Sequence, residues 1–143
     1  MKKNNILIDI DGTVSEDIPN EESDRFRDAN VLANSIESVN KLYDDGNTIT
    51  FFTARTEEHR EVTESWLNKH GFKYHSLLMN KPRGGNYIWI DNLSVKGIHY
   101  KNNWEKITND LMGKKTQIED NIFKKSINAF YRWKYPIHYQ SNN

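Results

Sequence analysis

The chain contains no cysteine, which removes disulfide frameworks, thiol nucleophiles and thiolate zinc sites together. Any metal it binds must be held by oxygen or imidazole ligands. Proline is scarce, with 3 in 143 residues, and there are 7 glycines, too few for a low-complexity or collagen-like chain. Neither sign of charge is in excess: 20 basic side chains balance 20 acidic ones. That gives no overall electrostatic case for nucleic acid or an anionic membrane as partner. No apolar run approaches the roughly 18 residues that a membrane span needs. Two lysines precede Ile6, Leu7 and Ile8, but Asp9 interrupts that stretch at once. It is too short for a signal peptide, so a cytoplasmic location is expected. What remains is a composition of 36% apolar and 28% charged residues, enough for one globular domain with a single core.

The pattern along the chain alternates strand and helix. Asn5 to Ile10 reads as a buried strand, ended by a turn at Asp11-Gly12. Val14 to Asp28 is polar and acidic, and reads as a short flap. Leu32, Ile36, Val39 and Tyr43 then recur at helical spacing, with Gly46 placed for a helix C-terminal cap. Thr48 to Phe52 is a second strand, and a helix carrying Val62, Trp66 and Leu67 runs to about Gly71. Tyr74 to Met79 and Tyr87 to Ile90 read as a third and a fourth strand, flanking the loop Lys81-Pro82-Arg83-Gly84-Gly85. Asn103 stands where it would cap a helix with Trp104, Ile107 and Leu111 on one face, closed by Gly113. Trp66, Trp89 and Trp104 are read as core. The alternation argues a parallel sheet with helices on both faces. Residues 1–113 form the core domain of this reading. Residues 114–143 are an appended amphipathic helix, with Phe123, Ile127 and Phe130 on its stripe, and a tail after Pro136. Packing against the domain or in a homodimer is the expected role of that helix.

The acids fall where chemistry is expected. Asp9 and Asp11 end one strand and Asp91 another, and open parallel sheets bind ligands beyond the carboxyl ends of their strands. Residues two apart on an extended segment share a face, so Asp9 and Asp11 can both enter such a crevice. Three carboxylates gathered there repel one another unless a cation intervenes. A hard divalent ion suits them, and magnesium favours few carboxylates together with phosphate and water. Thr53 follows a strand beside a helix N-terminus, a place that favours an anion, and Lys81 supplies a positive charge. His59, His70, His75, His99 and His138 show no metal-ligand spacing. Arg55 and Arg83 read as surface arginines.

These residues also carry a resemblance. Asp9-Ile10-Asp11-Gly12-Thr13 is similar to the first motif of the haloacid dehalogenase superfamily. Thr53 in Phe-Phe-Thr-Ala-Arg, Lys81 in Asn-Lys-Pro and Asp91 in Trp-Ile-Asp-Asn follow in that superfamily's order. The Lys-Pro-Arg-Gly-Gly-Asn loop further resembles small phosphatases of capsule and sugar biosynthesis. The resemblance implies a three-layer Rossmann-like α/β fold with a parallel sheet and a very small cap. It implies a phosphatase in which Asp9 is the nucleophile and Asp11 the general acid and base. Thr53, Ala54, Arg55 and Lys81 would hold the phosphoryl group, and Asp9, Asp11, Asp91 and Asn92 would surround Mg2+. Asn92 stands where many relatives carry a second acid. A small phosphorylated metabolite, such as a sugar phosphate, is the expected substrate. A nucleotidase or nucleic-acid end phosphatase, and a non-catalytic phosphate-binding or assembly protein, are the alternatives.

Overall fold

The computed structural model describes residues 3–113. Its sheet has three parallel strands in the order β1-β2-β3, formed by β1 (Asn5–Ile8), β2 (Thr48–Phe52) and β3 (Ser76–Leu78). Helix α1 (Ser35–Asp44) connects β1 to β2, and α2 (Arg60–Lys69) connects β2 to β3. A 3-10 segment, Asn20–Asp28, lies between β1 and α1, and α3 (Trp104–Leu111) closes the described part of the chain. The result is a three-layer, Rossmann-like α/β fold, as the resemblance implies, with short helices where a cap domain would stand. The sheet belongs to the first of two units, Met1–Thr108 and Asn109–Asn143, and α3 runs across their boundary. The appended helix expected within residues 114–143, with its role in a homodimer, lies outside the described residues.

Register decides which side chains build the core. Ile8 stands opposite Phe51 and Phe51 opposite Leu77, with Ile6 opposite Ile49. In parallel strands these partners share a face, and Ile8, Ile49, Phe51 and Leu77 are all buried. Val39 and Leu42 of α1 are buried, as are Trp66 and Leu67 of α2. Trp66 stacks on Phe72, which meets Phe51 edge-on. Its indole N–H donates to the Ala29 carbonyl at 2.9 Å, so the largest core side chain leaves no polar atom unpaired. The other sheet face carries Leu7 and Leu78, exposed to 39% and 47%.

Several boundaries differ from the sequence pattern for local reasons. The first strand ends at Ile8, because the Ile10 carbonyl turns to accept the N–H groups of Thr13, Val14 and Ser15. Leu32 precedes α1 and donates its N–H to the Val14 carbonyl instead. Gly46 follows α1 at a φ of 94°, as a left-handed helix terminus requires. The Asn103 cap is present, its Oδ1 accepting the Lys106 N–H at 3.1 Å. The fourth strand is not formed. Tyr87 to Ile90 pairs with nothing in the sheet and stands exposed, and Trp89, expected in the core, is 56% exposed. Topology explains the difference. Lys81 is tied to the carboxyl ends of the strands, and only Pro82 to Asn86 separate it from Tyr87. A further parallel strand needs a crossover of a dozen or more residues.

Candidate functional site

The site is built on the turn that follows β1. Asp9 leaves the strand with its side chain 37% exposed. Its Oδ2 accepts the Thr13 hydroxyl at 3.1 Å, and its Oδ1 accepts the Lys81 ammonium at 2.9 Å. Gly12 permits the turn, at a φ of 81° where an L side chain is strained. The indole N–H of Trp104 donates to the Thr13 carbonyl at 2.8 Å, which fixes the outer limb of the turn.

Lys81 reaches Asp9 because two loops are stitched together. The Thr53 N–H donates to the Leu78 carbonyl, and the Lys81 N–H donates back to the Thr53 carbonyl, each at 2.9 Å. Asn80 adopts a φ of 63° between them, and its N–H donates to the Arg55 carbonyl at 2.8 Å. The Lys81 ammonium also lies 5.8 Å from the centre of the Phe52 ring and 5.3 Å from that of Tyr87, a cation–π setting on two sides. Thr53 is fully buried, its Oγ1 accepting the Arg55 N–H at 3.2 Å. The carbonyl of Ala54 accepts the Asn20 amide at 2.9 Å, which ties the 3-10 segment to the site.

Arg55 is the residue that pattern reading misplaced. It is fully buried rather than on the surface. Its Nη2 donates to Asp11 Oδ1 at 2.8 Å and its Nε to Asp11 Oδ2 at 3.0 Å, a bidentate fork on one carboxylate. Its Nη1 donates to the Thr63 hydroxyl at 3.0 Å, and its guanidinium carbon lies 3.8 Å over the Phe26 ring. Asp9 and Asp11 thus each hold their own cation. A signal was available in the sequence: two carboxylates beside one lysine leave one negative charge without a partner, and Arg55 shares a face with Thr53 at a spacing of two. Arg83, by contrast, is exposed as expected and pairs with Glu21 of the 3-10 segment at 3.2 Å.

Asp91 does not join Asp9 and Asp11 in a group of three that could hold a metal ion among the described residues. Asp91 accepts the indole N–H of Trp89 at 3.1 Å and the N–H of Leu93 at 3.0 Å. Those two bonds, the Leu93 one foremost, hold its carboxyl below the usual range. Among the described residues no group of three His, Asp or Glu side chains is placed to hold a metal ion. Among the described residues the donors implied for Mg2+ reduce to the Asp9 carboxylate, already paired with Lys81, and the Asp11 backbone. That set does not fit a dedicated magnesium site. A groove of about 860 Å³ beside α2, lined by Asp24, Arg27, Glu58, Glu61, Trp66 and Lys69, holds none of the motif residues. Among the described residues no helix is long and apolar enough to cross a membrane.

Comparison with known proteins adds three observations. No curated protein matches the sequence. The solved structure of a structural-genomics target from Vibrio cholerae is 19% identical, with a TM-score of 0.49, over 80% of this chain and 100% of that one. A chain of a Pnkp1/Rnl/Hen1 complex is 22% identical, with a TM-score of 0.50, over 59% of this chain; the match spans 30% of that chain and shows likeness of fold. Residues 6–106, which include every motif described above, match the family described as PITM 1-3, LNS2 domain. The chain is a small α/β domain that belongs to this LNS2 family.

Proposed function

We propose that the chain is a phosphomonoesterase of the haloacid dehalogenase type that works through an aspartyl phosphate on Asp9. The observation that carries this reading is the 2.9 Å contact between Lys81 Nζ and Asp9 Oδ1, made at the carboxyl end of β1 beside Thr53. Together with the bond from the Lys81 N–H to the Thr53 carbonyl, it joins three motifs that are remote in sequence at the place where a parallel sheet binds ligands. Membership of the LNS2 family supports phosphatase-like activity in general terms.

In this reading an Asp9 oxygen attacks phosphorus in line with the ester oxygen, which departs as the Asp9–phosphorus bond forms. Asp11 gives its proton to the departing oxygen. Water then attacks the aspartyl phosphate, Asp11 takes its proton, and inorganic phosphate and free Asp9 are restored. Lys81, Thr53 and the backbone at Ala54 hold the phosphoryl oxygens, because phosphoryl transfer depends on positioning and charge neutralisation. Arg55 acts as a positioning residue: it fixes both oxygens of Asp11, and one of its two bonds must open before Asp11 carries a proton. No step is routed through magnesium, since the described residues do not gather a donor set for it.

The exposure of Asp9 and the small 3-10 segment in place of a cap domain leave the site open. Such a site admits a small phosphorylated metabolite such as a sugar phosphate, and a bulkier phosphate ester as well. A panel of sugar phosphates, nucleotides and an aryl phosphate, with and without Mg2+, tests the assignment. Asp9→Asn should lower turnover by about 10⁴-fold with the circular dichroism spectrum unchanged. Near wild-type turnover in that variant would overturn the covalent route.

A further inference from the structure

The loop that follows Lys81 folds back on itself. Gly84 and Gly85 take φ values of 78° and 68°, a left-handed backbone that glycine enters without strain. A Cβ on either would meet nothing within 4 Å, so conformation rather than space calls for glycine at both. The reversal returns the chain to its start. The Tyr87 hydroxyl donates to the Pro82 carbonyl, and the centre of its ring lies 5.3 Å from the Lys81 ammonium.

Nothing in the core or the sheet accounts for this placement, because Tyr87 is 62% exposed and belongs to no strand. What it meets is the cation of the site. Lys81 carries its charge on a flexible four-carbon stem, and its ammonium takes many directions unless neighbours restrict it. Three groups do so here: Asp9 Oδ1 at 2.9 Å, the Phe52 ring at 5.8 Å and the Tyr87 ring at 5.3 Å. Their constancy differs. Once Asp9 carries a phosphoryl group its carboxyl is no longer charged, and the ion pair that aims Lys81 weakens just when Lys81 must hold the phosphoryl oxygens. The two rings attract a cation whatever the state of Asp9. Phe52 is fixed by β2, and Tyr87 by its bond to Pro82.

We propose that Tyr87 is a positioning residue for Lys81. Its ring, clipped to Pro82, keeps the ammonium aimed at the phosphoryl position while Asp9 changes from free carboxylate to aspartyl phosphate and back. This role rests on the phosphoryl-transfer reading of the site.

Three variants and two measurements decide it. Tyr87→Leu removes ring and hydroxyl, Tyr87→Phe removes the hydroxyl alone, and Ile88→Ala alters an exposed neighbour. Since both positions are exposed, Tm should move by no more than about 2 °C in any of the three. With an aryl phosphate as substrate, kcat should fall about tenfold in Tyr87→Leu while KM stays within about twofold of the wild type. Tyr87→Phe keeps the ring and should lose no more than about threefold, and Ile88→Ala should match the wild type. Unchanged kinetics in Tyr87→Leu would overturn the proposal. So would a raised KM at constant kcat, which would make Tyr87 a substrate contact instead.

Carbon–proton NMR supplies a readout that needs no turnover. Protons facing an aromatic ring are shielded, so the ε-methylene resonance of Lys81, identified by its loss in Lys81→Arg, should move downfield in Tyr87→Leu and hold its place in Ile88→Ala. An unmoved resonance in Tyr87→Leu would overturn the positioning role. A wild type that turns over no phosphate ester would refute the phosphatase reading alone, and the Lys81 resonance would then decide whether Tyr87 holds the ammonium.

Discussion

Replacing Arg55 by methionine keeps most of its volume and removes its charge and its five donors. Asp11 then loses two charge-assisted bonds, at 2.8 and 3.0 Å, and the Thr63 hydroxyl loses an N–H at 3.0 Å. Breaking a buried ion pair by removing one partner costs about 3–5 kcal/mol. The Asp11 side chain keeps 15% exposure, so water relieves part of its stranded charge and the lower end applies. Loss of the cation–π contact with Phe26 adds about 1 kcal/mol, which the apolar methionine side chain largely offsets. The expected loss is about 3 kcal/mol, or a fall in Tm of about 10 °C for a domain of this size. Urea denaturation of Arg55→Met, Asp11→Asn and the double variant measures it. The two substitutions should couple by about 2 kcal/mol. Arg55→Lys should recover only part of the loss, since an ammonium cannot span both oxygens. A loss under about 0.5 kcal/mol in Arg55→Met, or additive single effects, would refute the claim that Arg55 holds Asp11.

Three further outcomes are expected. Trp66→Ala empties the centre of the Phe51–Phe72 cluster and strands the Ala29 carbonyl, and should destabilise the fold by about 3–5 kcal/mol in denaturant titration; a change under 1 kcal/mol would show that the cluster is not core. Gly12→Ala places a Cβ 3.5 Å from Asp17 Cβ at a φ of 81°, so a loss of about 1–2 kcal/mol should appear in the same assay, together with reduced turnover as the turn carrying Asp9 and Asp11 shifts. The third concerns His70, which packs against Trp66. Burial foremost, and the charge of Lys69 after it, hold its imidazole below the ordinary value of 6.5. As pH falls below 6.5 the unfolded chain takes up a proton before the folded one, so stability should decline until the lowered folded value is passed. His70→Gln should flatten that slope, and thermal melts at stepped pH that decline equally in both proteins would contradict the assignment.

Local pattern revealed much of this fold and rather less of its site. β2 was readable over its full length, Thr48 to Phe52, because β-branched and aromatic residues fill a short run between Gly46 and Thr53. The helices around Val39 and Trp66 declared themselves by the spacing of their apolar residues. The exposed run Tyr87 to Ile90 has the same local signature as a strand, yet pairing depends on whether a strand can be reached, and Pro82 to Asn86 is too short a path. Asp9, Thr53 and Lys81 were legible as a group because each stands at a strand end in the order of a known motif set. Arg55 was not, because burial of an arginine is decided by the carboxylate it meets, and Asp11 lies 44 positions away.

Asp9 is the atom donor to phosphorus in the proposed reaction. Rapid acid quench during turnover of an aryl phosphate, followed by peptide mass spectrometry, tests that claim directly. The peptide containing Asp9 should carry one added phosphoryl group, removable by hydroxylamine, and the Asp9→Asn protein should carry none. Turnover without any phosphorylated peptide, or a phosphoryl group found on another residue, would contradict it.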